Sequence, residues 1–562
     1  GPMVGHAIGE VDEECGINGS TAMSVQARLW PGVEAGGGMK DERGSTQVRL
    51  AELLGALSLV VDLGLGQPME HVRRQTLIAA GLGESLGLSE AERAAVYYTA
   101  LLAWVGCGSD SHELTVWFGD DIAFRAGTYG VDMAGIQLLA FLARRLGAGS
   151  PPLRRGWVAA SFAAGGMSRV AESVNAHCRV TRTFAERIGL GDDVCQPLLQ
   201  LFERWDGKGG PERLGGDQIM LAARIVQLAD IVAAFHRGGG VDAATGVARQ
   251  RRGTQFDPAL VDRFCAQAEA ILSVADEMTE WDALLAAEPE PQVLLTEGQL
   301  DRALEAIADF TDLKSPYTVG HARAVSALAG EAARGVGLAE EEVVLVRRAA
   351  LVQDAGRMGV PNSIWDKPAT LAPMEAERVR LHAYFIDRML AKPPVLARLG
   401  ALAVLHHERL DGSGYPRGLT GGSLPAAARI LAAADVYQAM VEARPHRRAC
   451  EARQAAGELQ AEVKGGRLDG HAVNAVLVAA GHRVHVTRGW PAGLTRREVE
   501  VLALIARGST NRDVAHRLQI AEKTVGNHVE HIYVKLGSST RAEASLFAMQ
   551  HGLLDLAGLH ER

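Results

Sequence analysis

The feature that most constrains this chain is an internal repeat. Gly87-Leu88-Ser89-Glu90 recurs as Gly337-Leu338-Ala339-Glu340, an offset of 250 residues. His71-Val72-Arg73-Arg74 and His321-Ala322-Arg323-Ala324 share that offset, as do Leu101-Leu102 with Leu351-Val352 and Gly106 with Gly356. Further on the offset falls to 205. There Glu203-Arg204-Trp205-Asp206-Gly207-Lys208-Gly209-Gly210-Pro211 matches Glu408-Arg409-Leu410-Asp411-Gly412-Ser413-Gly414-Tyr415-Pro416, and Asp230 matches Asp435. Two copies of one unit account for this, the first about 45 residues longer between Cys107 and Glu203. The periodicity is helical: Leu50, Leu53, Leu54, Leu57 and Val61 recur at i, i+3, i+4 spacing. Alternating β-branched runs are rare. The expected fold class is all-α.

Breaks in the pattern divide the 562 residues. Residues 1–45, opening on Gly1-Pro2-Met3 as a tag-cleavage scar and interrupted by Gly36-Gly37-Gly38, read as a mobile tail. Residues 46–290 hold the first copy, with an insertion at 108–200, and end at Pro289 and Pro291. Residues 291–487 hold the second copy; 490–562, after the linker Arg488 to Gly493, form a C-terminal module. No apolar run approaches the roughly 20 residues that span a bilayer. The longest, Leu53 to Val61, is flanked by Glu52 and Asp62. The N-terminus lacks a signal-peptide pattern. The six cysteines (Cys15, Cys107, Cys178, Cys195, Cys265, Cys450) form no CxxC pair, so neither a disulfide framework nor a zinc finger is expected. These features fit a cytoplasmic protein. With a net charge of −9, any contact with nucleic acid must be a local feature.

The second copy concentrates His321, Asp354, His382, His406, His407 and Asp435. Imidazole and carboxylate together suit Fe, Mn, Zn or Ni, and their wide spacing implies ligands converging from several helices. The string His406-His407-Glu408 followed by Asp411-Gly412-Ser413-Gly414-Tyr415-Pro416 closely resembles the HD-GYP family of metal-dependent phosphohydrolases, over about 170 residues. That resemblance implies an α-helical fold, two or three metals, and hydrolysis of cyclic di-GMP or related phosphodiesters. It also implies the ligands His321, the His-Asp pair, His382, His406, His407 and Asp435. Here the pair is Gln353-Asp354, and the Lys that follows is Arg357. On the family scheme one position keeps Asp354, His382, His406 and His407, while the second, with His321 and Asp435, is weakened. Catalysis is expected to be lost or much reduced, with no catalytic residue assigned. No cofactor is required by the sequence; one divalent ion (Fe, Mn or Zn) is what the retained donors suit.

The first copy is more eroded. Ala103-Trp104 stands where the His-Asp pair would be, and Leu201-Phe202 where the paired histidines would be. His71, His177 and Asp230 survive. Two readings follow: a scaffold packed against the second copy, or an emptied site reused as an apolar ligand pocket around Trp104, Leu201, Phe202, His71 and His177. The insertion would shape or cover such a pocket.

The C-terminal module reads as four short helices. Thr495 and Glu498 make a capping box. Ser509 or Thr510 starts a second helix to about Leu518; a third runs from Glu522 to about Lys535 and stops at Gly537. Its buried stripe is Val525, Val529, Ile532 and Leu536. Leu494, Glu498, Leu502, Asn511, Val514, Ala515, Lys523, Thr524, Val525, His528 and Lys535-Leu536-Gly537 closely resemble the LuxR/FixJ-type helix-turn-helix domain. The resemblance implies a third helix in the major groove and dimers on two half-sites. Asn511, Lys523, Thr524 and Lys535 would then meet phosphates, and Asn527 and Glu530 base edges. With nine Lys/Arg against eight Asp/Glu over 493–562, modest affinity is expected unless dimerisation adds to it.

Taken together, the sequence predicts two tandem HD-domain bundles followed by a four-helix DNA-binding domain. The leading functional expectation is a homodimeric transcription regulator on pseudo-palindromic double-stranded DNA. Its catalytically impaired HD region would sense an unidentified small molecule or dimerise, away from any membrane. The alternatives are an active phosphodiesterase tethered to DNA, and a constitutive dimeric regulator whose HD region is purely structural.

Overall fold

The computed structural model describes residues 48–277, 280–483, 492, 494–536, 538, 540–550 and 553–554. The expected tail, most of the linker at 488–493 and the stop at Gly537 lie outside them. Among the described residues the only strands are Val48–Arg49 and Leu294–Leu295, paired antiparallel with Val48 opposite Leu295. Each leads into the first helix of one copy, Leu50–Leu65 or Glu297–Asp312. The fold is all-α, as expected.

Both copies are built alike because the repeated residues carry the same local duties. Ser89 caps the helix Glu90–Leu102, and Ala339 holds the same place before Glu340–Val352. Gly87 and Gly337 precede these caps with left-handed φ of 70° and 82°, which glycine alone adopts without cost. Asp62 accepts the backbone N–H of Val72 at 2.9 Å, and Asp312, 250 residues on, accepts that of Ala322 at 3.0 Å. Glu203 and Glu408 each close a loop, accepting the N–H of Glu212 and of Arg417, both at 2.7 Å.

The first helices cross between copies. Leu50–Leu65 packs on the turn Ala355–Gly359 and the helix Pro373–Met389 of the second copy. Glu297–Asp312 packs on the turn Val105–Gly108 and the helix Gly166–Arg187 of the first. A single apolar core results, running from Val48 to Leu477.

Within the insertion, helices Ser111–Phe118, Asp121–Thr128, Gly135–Arg145 and Pro152–Ala163 gather a small core of their own. Phe118 stacks on Phe124 there at 4.0 Å. A buried charge network ties this insertion to the second copy. The ammonium of Lys314, 1% exposed, lies 3.2 Å from Asp121, which also pairs with Arg125 at 3.1 Å and accepts the N–H of Asn362 at 2.9 Å. Burial pulls the Asp121 carboxyl upward, yet Lys314 and Arg125 hold it well below the usual range.

The C-terminal module has a separate core around Val499, Leu502, Val514, Val525 and Ile532. Its helices are Arg496–Ala506, Asn511–Leu518, Glu522–Leu536 and Arg541–Gln550. Thr495 and Glu498 form the expected box; Thr510, not Ser509, caps the second helix with Asp513. Gln519, at φ 52°, ends that helix in the turn.

One glycine per copy seats a helix. A Cβ on Gly106 would lie 2.3 Å from the carbonyl oxygen of His177, and one on Gly356 2.0 Å from that of His382. Gly356→Ala must therefore push the His382 helix outward, and a loss of about 1–3 kcal/mol is expected. Gly457, in the helix Ala452–Lys464 with nothing near its Cβ position, is the control. Gly457→Ala gains up to about 1 kcal/mol, and thermal melts of the two variants should move in opposite directions.

Candidate functional site

The donors of the second copy converge from separate elements. His321 opens the helix His321–Gly335 beneath the positive-φ Gly320. Gln353 and Asp354 follow the helix Glu340–Val352. His382 lies on the helix seated by Gly356, and Asp435 on Ala426–Val441. His406 and His407 stand in the turn after Pro394–Ala403, where successive residues escape the 100° helical offset and both rings face inward. Their centroids are 4.0 Å apart.

This arrangement makes two overlapping donor sets: Asp354, His382, His406 and His407, and His321, Asp354 and Asp435. The first is poised for a cation. The Nδ1 of His382 donates to the Val379 carbonyl at 2.5 Å, and that of His406 to the Ala403 carbonyl at 2.6 Å. The two Nε2 lone pairs then face each other 3.2 Å apart, with Asp354 Oδ1 at 3.7 and 3.8 Å. Two nitrogens so spaced, each about 2.1 Å from one ion, subtend about 100° there. Asp354 Oδ1 has no hydrogen-bond partner. Burial holds the His382 imidazole down at about 4, helped by His406, and depresses His406 and His407 as well. All three are neutral ligands at pH 7.

The second set carries cations of its own. His321 directs Nε2 at Asp435, 3.2 Å away, and Nδ1 at Glu442, 2.8 Å away. Burial opposes its charge, but these two carboxylates raise it to about 9. The Arg357 guanidinium lies 2.7 Å from Asp354 Oδ2 and is stacked over Trp365 at 4.7 Å. Gln353 donates its amide to Asp435 at 2.9 Å and leaves Oε1 unpartnered. The residues present fit one ion at the first set; at the second, protonated or basic side chains already answer the carboxylates.

In the first copy the corresponding place is a cavity of about 470 Å³. Trp104, Leu201, Phe202 and His177 line it, as expected for a pocket, and the insertion supplies much of its wall. Trp104 donates its indole N–H to Gln75 at 2.8 Å, and His177 is hydrogen-bonded to the Ala103 carbonyl at 3.0 Å. His71 is a correction: it does not line the cavity. Its Nε2 bonds Asp230 at 2.9 Å, and Tyr129, from the insertion, closes over both, its hydroxyl 3.1 Å from the same carboxylate.

On the third helix of the C-terminal module, Lys523, Thr524, Asn527 and Glu530 are exposed, while Val525 and Ile532 are buried. Lys535 departs from the expected phosphate contact. Its ammonium meets the buried Glu498 at 2.6 Å and braces the third helix against the first. Glu442, Trp365 and Arg444, which binds Glu442 at 2.9 Å, complete the cluster beyond the residues expected from the sequence. Because burial depresses all three imidazoles of the first set, their affinity for Zn or Mn, measured by calorimetric titration, should fall less between pH 8 and 6 than that of exposed histidines of ordinary pKa. His406→Ala should weaken it at least about tenfold.

Comparison with known proteins now bears on these centres. The profile of the HD domain matches residues 167–260 and 305–472, one segment in each copy, and that of bacterial regulatory proteins of the luxR family matches 492–548. The 3'3'-cGAMP-specific phosphodiesterase 3 of Vibrio cholerae is 30% identical over 411 residues, 71% of this chain and 88% of that protein. A cyclic di-GMP phosphodiesterase of Thermotoga maritima is 36% identical over 153 residues, 27% of this chain and 42% of that protein. The crystal structure of a cyclic GMP-AMP-specific phosphodiesterase from V. cholerae superposes with a TM-score of 0.55 at 26% identity, covering 78% of this chain and 99% of that one. Among the described residues no helix is long and apolar enough to cross a membrane. The chain therefore belongs to the HD-GYP phosphodiesterase family and carries a luxR-family DNA-binding domain at residues 492–548.

Proposed function

We propose that this protein is a DNA-binding regulator whose tandem HD region has given up two-metal hydrolysis and serves to sense a small molecule. The observation that carries the reading is the pairing of Arg357 with Asp354 and of Gln353 with Asp435. In a two-metal site a carboxylate placed like Asp354 would be shared between ions. Here one of its oxygens faces a guanidinium, which cannot give up its charge at any working pH. A divalent ion (Fe, Mn or Zn) held by Asp354, His382, His406 and His407 would supply Lewis acidity. Around it, Arg357 neutralises Asp354, Gln353 and His321 hold Asp435, and Glu442 fixes the His321 ring.

The module at 492–548 gives the region its output. By the geometry of its class, the helix Glu522–Leu536 enters the major groove, with Lys523, Thr524 and Asn511 on phosphates and Asn527 and Glu530 on base edges. Two chains then read two half-sites of a pseudo-palindrome. Lys523→Ala should weaken binding uniformly across sequences and lower the salt slope by about one, whereas Asn527→Ala should relax selectivity at one position, as read by fluorescence anisotropy.

A second reading has its own support. The intact four-residue donor set and the similarity to the V. cholerae enzyme favour an active phosphodiesterase tethered to DNA. Hydrolysis of 3'3'-cGAMP and cyclic di-GMP by anaerobically purified protein, with metal content measured on the same sample, separates the two. We expect about one ion per chain and no turnover with Mn or Fe. The Gln353→His/Arg357→Lys double variant should gain a second ion and measurable hydrolysis. Turnover by the unaltered chain, abolished in His406→Ala, would make it an enzyme.

A further inference from the structure

The cavity of the first copy has a chemistry of its own. Its charged wall residues are mostly committed. Arg204 pairs with Asp132 at 2.6 Å and Asp206 at 3.1 Å, and Arg125 is held by Asp110 and Asp121. Asp230 is shared between His71 and Tyr129, and Glu203 turns one oxygen into its own loop.

Arg251 is different. It lines the cavity, is 5% exposed, and bonds only neutral acceptors: the Gln255 amide oxygen at 3.0 Å and the Tyr129 carbonyl at 3.0 Å. No carboxylate among the described residues lies within 4.0 Å of its guanidinium. Asp132 and Asp230 act on it only at a distance, and burial still lowers its affinity for a proton; an anion brought into contact would offset that cost. Much of the remaining wall is apolar, with Trp104, Phe202, Leu138, Leu142 and Val174 contributing; its two other cations, Lys208 and Arg213, are exposed. Such a wall rewards an apolar body, with Arg251 as the buried cation it would meet.

We propose that this cavity binds an organic monoanion with an apolar body, a medium-chain or aryl carboxylate, its carboxylate set against the guanidinium of Arg251. The planar fork of an arginine suits a carboxylate in two-point fashion. A cyclic dinucleotide would set two bases against a mostly apolar wall. The proposal deepens the sensor reading and takes its biological sense from it, but the binding step stands apart.

The test is calorimetric titration of the full chain with decanoate, with 1-decanol as the neutral counterpart and 3'3'-cGAMP as the dianionic one. Decanoate should bind at least about tenfold more tightly than decanol. Arg251→Gln should bring the two within about twofold while leaving decanol unchanged. Val174→Trp, which fills the cavity from a half-buried position, should abolish both. Should Arg251→Gln fail to fold, Arg251→Lys, which keeps the charge and loses the fork, should retain part of the preference. No decanoate binding, a decanoate affinity insensitive to both Arg251 variants, or saturation by 3'3'-cGAMP that Val174→Trp removes would each overturn the proposal. The sensor reading is tested separately, on DNA selected from random sequence by the full chain. Decanoate that binds at this site without altering DNA affinity sinks the sensor reading and leaves the site. A different compound that alters DNA affinity while decanoate does not bind does the reverse.

Discussion

Each copy of the repeat completes its core with the first helix of the other. The helix Leu50–Leu65 lies against the turn that carries Arg357, and Glu297–Asp312 against the turn that follows Trp104. Fourteen of the sixteen residues of Leu50–Leu65 are buried, so removing that helix would open apolar surface in both copies at once. This reciprocity explains why an eroded copy persists. The first copy has lost most of the ligand set, but the interior of the second still packs against that copy's first helix.

The two copies show two ways of filling the place of a metal. In the first, indole, leucine and phenylalanine stand at three of the ligand positions, and a mostly apolar hollow results, with Arg251 buried in its wall. In the second, positive side chains stand in for positive ions: His321 and Arg357 face Asp354, Asp435 and Glu442. The second solution preserves the carboxylates of the cluster; the first keeps Asp230, now held by His71 and Tyr129. A buried carboxylate needs a cation of some kind, and a protein that stops using a metal must provide another.

Much of this was legible in the sequence, and the boundary is physical. The C-terminal helices were readable because their starts are written locally, in Thr495 with Glu498 and Thr510 with Asp513. The donor sets were readable because the repeat and the Gly414-Tyr415-Pro416 string fix the register. What escaped depends on contacts far apart in the chain. Lys314 and Asp121 are 193 residues apart, and nothing near either announces the other. A helix apolar on nearly every face, such as Leu50–Leu65, carries no sign of which neighbour it meets. His71 was expected at the cavity because its position in the repeat is right; Tyr129, from an insertion with no counterpart in the second copy, screens it. Lys535 was expected on phosphate from the resemblance of the module alone, and its pairing with the buried Glu498 is not written in its own neighbourhood.

The ion pairs at Asp121 have a mechanical meaning. The helix Asp121–Thr128 is at once a wall of the cavity, through Arg125, and the counter-ion of a lysine deep in the second copy. It also fastens Asn362, a short step along the chain from Arg357. If a guest in the cavity displaced that helix, Lys314 would be stranded without its partner, at a cost of several kcal/mol. Such a wall cannot yield by degrees. Through that helix the hollow of one copy and the lysine buried in the other share one ion pair, beside the contact of His112 with Asp366.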